Sequence, residues 1–413
     1  MATRSTDPAA QAPSYLVPFI IVTALFGAFG FLTNMNSNLM PQLKSIFNLS
    51  YGPAMAATVA WFFAYLIFSI PSGRLIEAVG YKTTMVISLF VMMVGALIFV
   101  PAARMVSFPL FMTAIFVLAA GVTALQTSAN PYVSILGPEH SAPARLTLSQ
   151  AFNSLGAALA PVVVVHFILT DPSKTADKAA IAHTVQGPYV VIAVALLVLG
   201  VAVMFMHLPA ITAARKPDAV EEASRSIWSY PHTVMGMVGI FFYVGIEIAL
   251  AAIAIDYFRS QGIVSDSMIA FMALLYYLLI GAGRFVGTVL MKWIQARILL
   301  AFLGFLGVGL LLVSMLTHGE VAAWSLVLCG CANSIMYPTI FALGIAELGP
   351  LTSKGSGVIT MGNFGGAVIP FLLGALADKV GVQYAFIVPI LCYLYVSYYG
   401  LWGCIPRRKV AVA

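Results

Sequence analysis

The sequence predicts an all-α membrane protein: twelve transmembrane helices in two pseudo-symmetric six-helix bundles. Three observations carry this. Of 413 residues, 61% are hydrophobic and only 8% are charged, whereas soluble domains hold roughly 25% charged residues. The apolar residues fall into runs of about 20, the length that crosses a ~30 Å hydrocarbon core as a helix. Short polar patterns also recur at half the chain length. This balance excludes a soluble enzyme, a nucleic-acid binder and a disordered scaffold. The formal net charge of +6 reads as loop residues that orient the chain in a bilayer.

The polar start, Met1 to Ser14, lacks the basic start, short apolar stretch and cleavage site of a signal peptide, so the first run is expected to remain as a span. The first six spans are expected at 15–38, 53–72, 83–103, 108–133, 145–169 and 187–208. A polar stretch follows at 209–229, with Arg215, Lys216, Asp218, Glu221, Glu222 and Arg225 as the densest charge cluster of the chain. Six further spans are expected at 231–258, 267–292, 298–317, 321–346, 356–377 and 382–404. The organisation is thus an N-terminal bundle (1–208), a cytoplasmic linker (209–229) and a C-terminal bundle (230–413).

Lys and Arg give the orientation. With the N-terminus cytoplasmic, Arg4, Arg74, Lys82, Arg145, Arg215, Lys216, Arg225, Lys292, Arg297, Lys354, Arg407, Arg408 and Lys409 lie inside. Only Lys44, Arg104, Lys174, Lys178, Arg259 and Lys379 lie outside, and Arg284 is left over near a membrane segment. The bias places both termini inside. Internal symmetry comes from two patterns. Gln126, Asn130 and Pro131 are matched by Asn333, Tyr337 and Pro338, 207 residues later. Gly156, Ala158 and Pro161 are matched by Gly365, Ala367 and Pro370, 209 residues later. Order and near-constant offset point to a duplicated six-helix unit.

Between spans 2 and 3 stands Gly73-Arg74-Leu75-Ile76-Glu77-Ala78-Val79-Gly80-Tyr81-Lys82. It resembles the signature loop of the major facilitator superfamily, Gly-x-Leu-x-acid-x-x-Gly followed by a basic residue. The glycines allow close helix contact and a tight turn. The resemblance implies a gating loop in which Gly73, Arg74, Glu77, Gly80 and Lys82 take part, with an ion-pair latch at the cytoplasmic face. Ala78 departs from the second basic residue often found there, which weakens the latch.

Further strings narrow the resemblance. They are Leu125-Gln126-Thr127-Ser128-Ala129-Asn130-Pro131-Tyr132, then Leu136-Gly137-Pro138, Arg145-Leu146, and Gln150-Ala151-Phe152-Asn153-Ser154-Leu155-Gly156. Tyr337-Pro338-Thr339-Ile340-Phe341-Ala342-Leu343-Gly344 stands in the second half. Together these resemble the fucose:proton symporter family, which includes bacterial L-fucose and glucose/galactose permeases. That resemblance implies the major facilitator fold and sugar uptake across the bacterial inner membrane, typically driven by protons. Two departures bear on coupling. The family's acid near the end of span 1 is replaced here by Ser37, and the fucose-permease Glu of span 4 by Gln126.

Polar side chains in a spanning helix are costly, so they face a cavity or another helix. Asn34, Ser37 and Asn38 share one face of span 1; Gln126 and Asn130 share one of span 4; Gln150 and Asn153 share one of span 5. Asn333 and Tyr337 are four apart on span 10, and Asn363 lies on span 11. Carboxamides both donate and accept, as sugar hydroxyls do. The candidate substrate-binding set is therefore Asn34, Ser37, Asn38, Gln126, Gln150, Asn153, Glu247, Asn333, Tyr337 and Asn363. Helix–helix bridging is the competing role for each, and Asn130 is assigned mainly to it, as repair for the backbone bond that Pro131 removes. Trp61, Tyr65, Tyr276, Tyr277 and Trp324 are read mainly as packing or interface anchors.

Glu247, midway along span 7, is the leading proton-carrier candidate; contact with sugar hydroxyls and partnership with Arg284 are its other roles. Asp256 and His166 stand behind it. Gly27, Gly30, Gly121, Pro161, Gly245, Pro338, Gly365, Gly366 and Pro370 suit helices that rock against one another. The cysteines (Cys329, Cys331, Cys392, Cys404) have neither metal-ligand spacing nor a disulfide framework and are read as packing residues. Neither a nucleophile–base pair nor a phosphate loop is present, so an enzyme, a cofactor and a metal are not expected.

The expectation is a monomeric inner-membrane transporter, surrounded by lipid and without nucleic-acid partners. It moves a hexose or related sugar by alternating access, as uniport or with weak proton coupling. Full proton symport through Glu247 is the alternative. A drug or lipid efflux pump is the rival of another class, and it predicts an apolar cavity instead of an amide-rich one.

Overall fold

The computed structural model describes residues 15–46, 51–167, 178–206, 208–209 and 225–406; within the helical parts of 35–56 and 162–185 it describes the main chain alone. Arg215 to Glu222 of the expected linker lie outside the described residues, as do the side chains of Ser37, Asn38 and His166. The described secondary structure is helical throughout: α1 (Leu16–Ile46), α2 (Tyr51–Arg104), α3 (Phe108–Ile135), α4 (Ala142–Phe167), α5 (Lys178–Phe205), α6 (Pro231–Ser260) and α7 (Asp266–Leu290) come first. After them come α8 (Ala296–Leu316), α9 (Gly319–Asn333), α10 (Met336–Gly344), α11 (Thr352–Met361), α12 (Gly365–Val380), α13 (Val382–Ala385) and α14 (Ile387–Tyr398).

Ten stretches among the described residues are long and apolar enough to cross a membrane. This is a multi-pass membrane protein. The longest stretch, Ala57–Arg104, has 48 residues, roughly 70 Å of helix against a ~30 Å hydrocarbon core. It breaks at Gly80, whose φ of 83° admits a turn that a side chain would strain. Local signals set other starts. Ser265 Oγ caps α7 by accepting from the Met268 amide at 3.4 Å. Prolines open α3 and α6, where the missing N–H costs nothing.

Three spans expected to be continuous are interrupted. The stretch 321–346 divides into α9 and α10, because Pro338 cannot donate to the Ser334 carbonyl four residues back. Pro389 does the same to the Ala385 carbonyl, between α13 and α14. Between α11 and α12 a 3-10 turn, Gly362–Phe364, carries Asn363. The last turn of the chain described, Tyr399–Gly403, is a π-helix.

In the first part of the chain, α2 packs on α3 and α5, and α1 on α4. In the second, α6 packs on α10, α12 and α14, while α8 packs on α9 and α14. The matched glycines do matched work. A Cβ on Gly156 would collide with the Gly27 carbonyl where α4 crosses α1, and one on Gly365 would collide with the Phe241 carbonyl where α12 meets α6. Only glycine permits either approach.

The two parts meet through α2 and α3 against α11, and through α4 against α7 and α10. Near the 73–82 turn these contacts are tight. Glu77 pairs with Lys354 at 3.6 Å. Ser356 Oγ donates to the Thr127 carbonyl at 2.6 Å, and the Glu347 amide donates to Glu139 Oε1 at 3.0 Å.

Candidate functional site

Helix α3 presents Gln126 and Asn130 one turn apart, and α4, packed on α3, presents Gln150 beside Asn130. Facing them, α10 presents Tyr337 at its first turn, because the break before Pro338 redirects the chain there. The Tyr337 hydroxyl donates to Gln126 Oε1 at 3.4 Å and accepts from Asn130 Nδ2 at 3.3 Å. Gln150 Nε2 donates to Asn130 Oδ1 at 3.5 Å, and Asn363 also interacts with the Tyr337 hydroxyl. Four expected residues, Gln126, Gln150, Tyr337 and Asn363, are thus brought to one place around Asn130. Asn130 and Tyr337 are themselves a 207-residue pair. Equivalent residues of two repeats touch one another only near the axis that relates the repeats.

These bonds are long for hydrogen bonds and each is weak. Gln126 is partly exposed and is the polar member of a recess with Leu25, Phe26, Phe29, Leu125 and Ala129. An amide in such a wall keeps donor and acceptor capacity for a polyol, while the apolar members suit the C–H face of a ring.

The other expected residues sit differently. Asn34 donates to the Gly30 carbonyl of its own helix at 3.2 Å. Asn153, partly exposed, donates to the Phe26 carbonyl of α1 at 3.1 Å. Asn333 is fully buried, with Nδ2 donating to the Tyr276 hydroxyl at 2.8 Å and Oδ1 accepting from Tyr393 at 2.7 Å. Glu247 is partly exposed on α6 and lies within electrostatic reach of Arg284, Tyr243, Tyr276, Tyr277 and Tyr337. Asn130 does not repair the backbone at Pro131. The carbonyl that Pro131 frees is that of Thr127, and Ser356 from the second part of the chain supplies its donor.

Sequence reasoning gave Arg284 only as a candidate partner of Glu247. It is buried on α7, and its Nε donates to the Ser334 carbonyl at 3.1 Å, the acceptor freed by Pro338. Its Nη1 donates to the Gln150 carbonyl at 3.0 Å and to the Ser154 hydroxyl, both on α4. The signal was present but indirect: an Arg in a spanning segment needs partners, and a proline frees one. Tyr243, one turn before Glu247 on the same face, was missed although its spacing gave it. In the 73–82 turn, Glu77 finds its cation outside the turn, at Lys354, and Gly73 lets the Ser353 carbonyl approach to within 2.8 Å of where a Cβ would stand. Arg145 closes the end of α3, donating to the Val133 carbonyl at 3.3 Å and the Pro138 carbonyl at 2.8 Å.

Residues 21–369 match the family model of the Major Facilitator Superfamily. The chain belongs to the major facilitator superfamily. Its relatives include a glucose/galactose transporter of Brucella abortus (strain 9-941), 40% identical over 92% of this chain and 93% of the relative. An L-fucose-proton symporter of Escherichia coli (strain K12) is 32% identical, over 94% of each chain. The crystal structure of the superfamily transporter FucP in its outward conformation has a TM-score of 0.85 at 30% identity, covering 94% of this chain and 99% of that one. The chain shares the fold and the family of these transporters, which are not enzymes.

Proposed function

We propose that this chain moves a hexose or related sugar across the bacterial inner membrane by alternating access, as facilitated uniport or with weak proton coupling. The observation that carries the reading is the amide-and-tyrosine cluster in which Asn130 of one repeat meets Tyr337, its equivalent in the other, at 3.3 Å. A site on the axis between repeats is reachable from either side as the halves rock. Its carboxamides match a neutral polyol, which argues against the drug or lipid efflux reading. The Brucella relative's name as a glucose/galactose transporter supports the substrate class.

Twelve crossings fit the chain better than ten. The Ala57–Arg104 stretch is long enough for two crossings folded at Gly80, and α4 adds another. The chain then divides into bundles at 1–208 and 230–413 joined by a cytoplasmic linker. Lys and Arg bias places both termini and the 73–82 turn inside. In that orientation the Glu77–Lys354 pair closes the cytoplasmic face. The transporter acts as a monomer in lipid, without nucleic acid.

Ser37 and Gln126 stand where titrating acids are expected, which favours weak coupling or none. A second reading, full proton symport, has support in Glu247, placed beside Tyr337, and in the relative named an L-fucose-proton symporter. The test is uptake of a hexose panel by proteoliposomes with and without a pH gradient. Uptake that only equilibrates fits uniport. Accumulation driven by the gradient and lost in Glu247→Gln fits symport. Failure to take up any sugar refutes the proposal.

A further inference from the structure

The fully buried hydroxyl of Tyr243 meets no partner at full hydrogen-bond geometry; its looser polar neighbours are Glu247 and Arg284. Buried polar groups in folded proteins are nearly always paired, and each exception calls for a cause. The surroundings supply one. Glu247 and Arg284 lie within electrostatic reach of this hydroxyl, and the Tyr243 ring tilts against that of Tyr337 at 6.1 Å. Tyr243 therefore adjoins the amide cluster through Tyr337. Glu247, one turn on, is partly exposed, so the spot opens where a ligand would enter.

Arg284 ties this wall to the rest of the molecule. Its Nε and Nη1 are spent on the Ser334 carbonyl, the Gln150 carbonyl and Ser154, and the guanidinium also comes within reach of the Tyr243 hydroxyl. A guanidinium has five donors in a fixed fork. Holding three of them on backbone and hydroxyl acceptors fixes where the remainder point. A buried cation in a spanning segment is costly without a counter-charge, and Glu247 is the acid within its reach. One side chain thus touches α4 across the interface and faces Tyr243 and Glu247 on its own side.

We propose that Tyr243 is a sugar-contacting residue and that, with Glu247, it forms the α6 wall of the site. Arg284 is a positioning residue: it relays occupancy of that wall to the α4–α7 contact between the two parts of the chain. The assignment rests on the sugar-transport reading and adds the second wall. A sugar hydroxyl pairs with the Tyr243 hydroxyl and donates to the Glu247 carboxylate. Occupancy then changes the counter-charge that Arg284 sees, and with it the grip on Gln150 and Ser154.

The experiment uses the full chain, purified in detergent and reconstituted, with D-glucose and D-galactose as probes. Tyr243→Phe is expected to raise the sugar dissociation constant about tenfold while lowering the melting temperature of the sugar-free protein less than Tyr393→Phe does, because the hydroxyl meets no protein partner at full hydrogen-bond geometry. Tyr393→Phe is the control. It removes the bond to Asn333 and should lower the melting temperature. Arg284→Lys is expected to slow sugar exchange at saturation about tenfold while half-saturation moves less than threefold. Wild-type affinity in Tyr243→Phe, or a melting temperature lowered as far as in Tyr393→Phe, overturns the Tyr243 assignment. Equal loss of rate and half-saturation in Arg284→Lys overturns the relay. If the unaltered protein binds neither sugar while remaining folded, the sugar reading itself fails, and the assignment falls with it.

Discussion

Gln126 and Asn333 are matched in the sequence pattern that recurs after 207 residues, yet they should fail in opposite ways when truncated. Gln126 is partly exposed and bonded once, at 3.4 Å, to Tyr337. Gln126→Ala therefore loses little from the protein itself, about 0.5 kcal/mol for a long neutral bond. What it loses is the amide offered to sugar, about 1–3 kcal/mol, or roughly 5- to 150-fold in affinity at ~1.4 kcal/mol per tenfold. Asn333 is fully buried and holds two tyrosine hydroxyls at 2.7 and 2.8 Å. Asn333→Ala orphans both hydroxyls, at about 1–3 kcal/mol each, so roughly 2–6 kcal/mol of stability is at stake. The assay pairs calorimetric titration of D-galactose with thermal unfolding of the same preparations. Gln126→Ala should lose affinity and keep its melting temperature, and Asn333→Ala should lose melting temperature. If Gln126→Ala is as unstable as Asn333→Ala and its folded fraction binds normally, the division between sugar contact and internal brace is wrong.

Three other substitutions bear on movement and coupling. Glu77→Ala breaks a half-exposed pair with Lys354 at 3.6 Å, worth at most about 1 kcal/mol; exchange kinetics should change severalfold while sugar affinity changes little, and an equal fall in affinity would refute a gating role. Gly357→Ala places a Cβ 2.7 Å from the Ser69 carbonyl, so the α2–α11 contact must part; a cysteine introduced at Ser353 should then react faster with a membrane-impermeant maleimide, and unchanged labelling would refute the closed contact. Glu247→Gln should abolish gradient-driven accumulation, if any is found, while leaving sugar exchange; accumulation that survives it excludes Glu247 as the carrier.

Much of the architecture was legible because a bilayer constrains it so strongly. Apolar runs of about 20 residues give helices, and the recurrence of Asn130-Pro131 as Tyr337-Pro338 marks the repeat. The glycine pattern was legible too, since Gly156 and Gly365 both sit where backbones touch. Within the site, residue type identified candidates but could not divide them. Gln126 and Asn333 are both amides at matched positions, and only burial separates the one that faces a recess from the one locked between tyrosines. The acceptors of Arg284 were illegible for another reason: they lie on Gln150, Ser154 and Ser334, and two of the three are backbone carbonyls, which sequence does not display.

The two prolines that mark the repeat explain why the halves are held as they are. Pro131 and Pro338 each free one carbonyl inside the membrane, where an unpaired acceptor is expensive. An ordinary solution would be local, with a neighbouring Ser or Asn bending back. Here neither carbonyl is repaired that way. Thr127 receives its donor from Ser356, across the interface. Ser334 receives its donor from Arg284, and the same guanidinium reaches across to Gln150 and Ser154. Both repairs are therefore coupled to the meeting of the two parts. Parting α3 from α11 leaves the Thr127 carbonyl in need of another donor. Parting α4 from α7 leaves Arg284 in need of other acceptors, with Glu247 nearest in charge. The defects that the duplicated prolines introduce thus store a preference for contact at this face, and a ligand that changes what Glu247 offers to Arg284 can shift that preference.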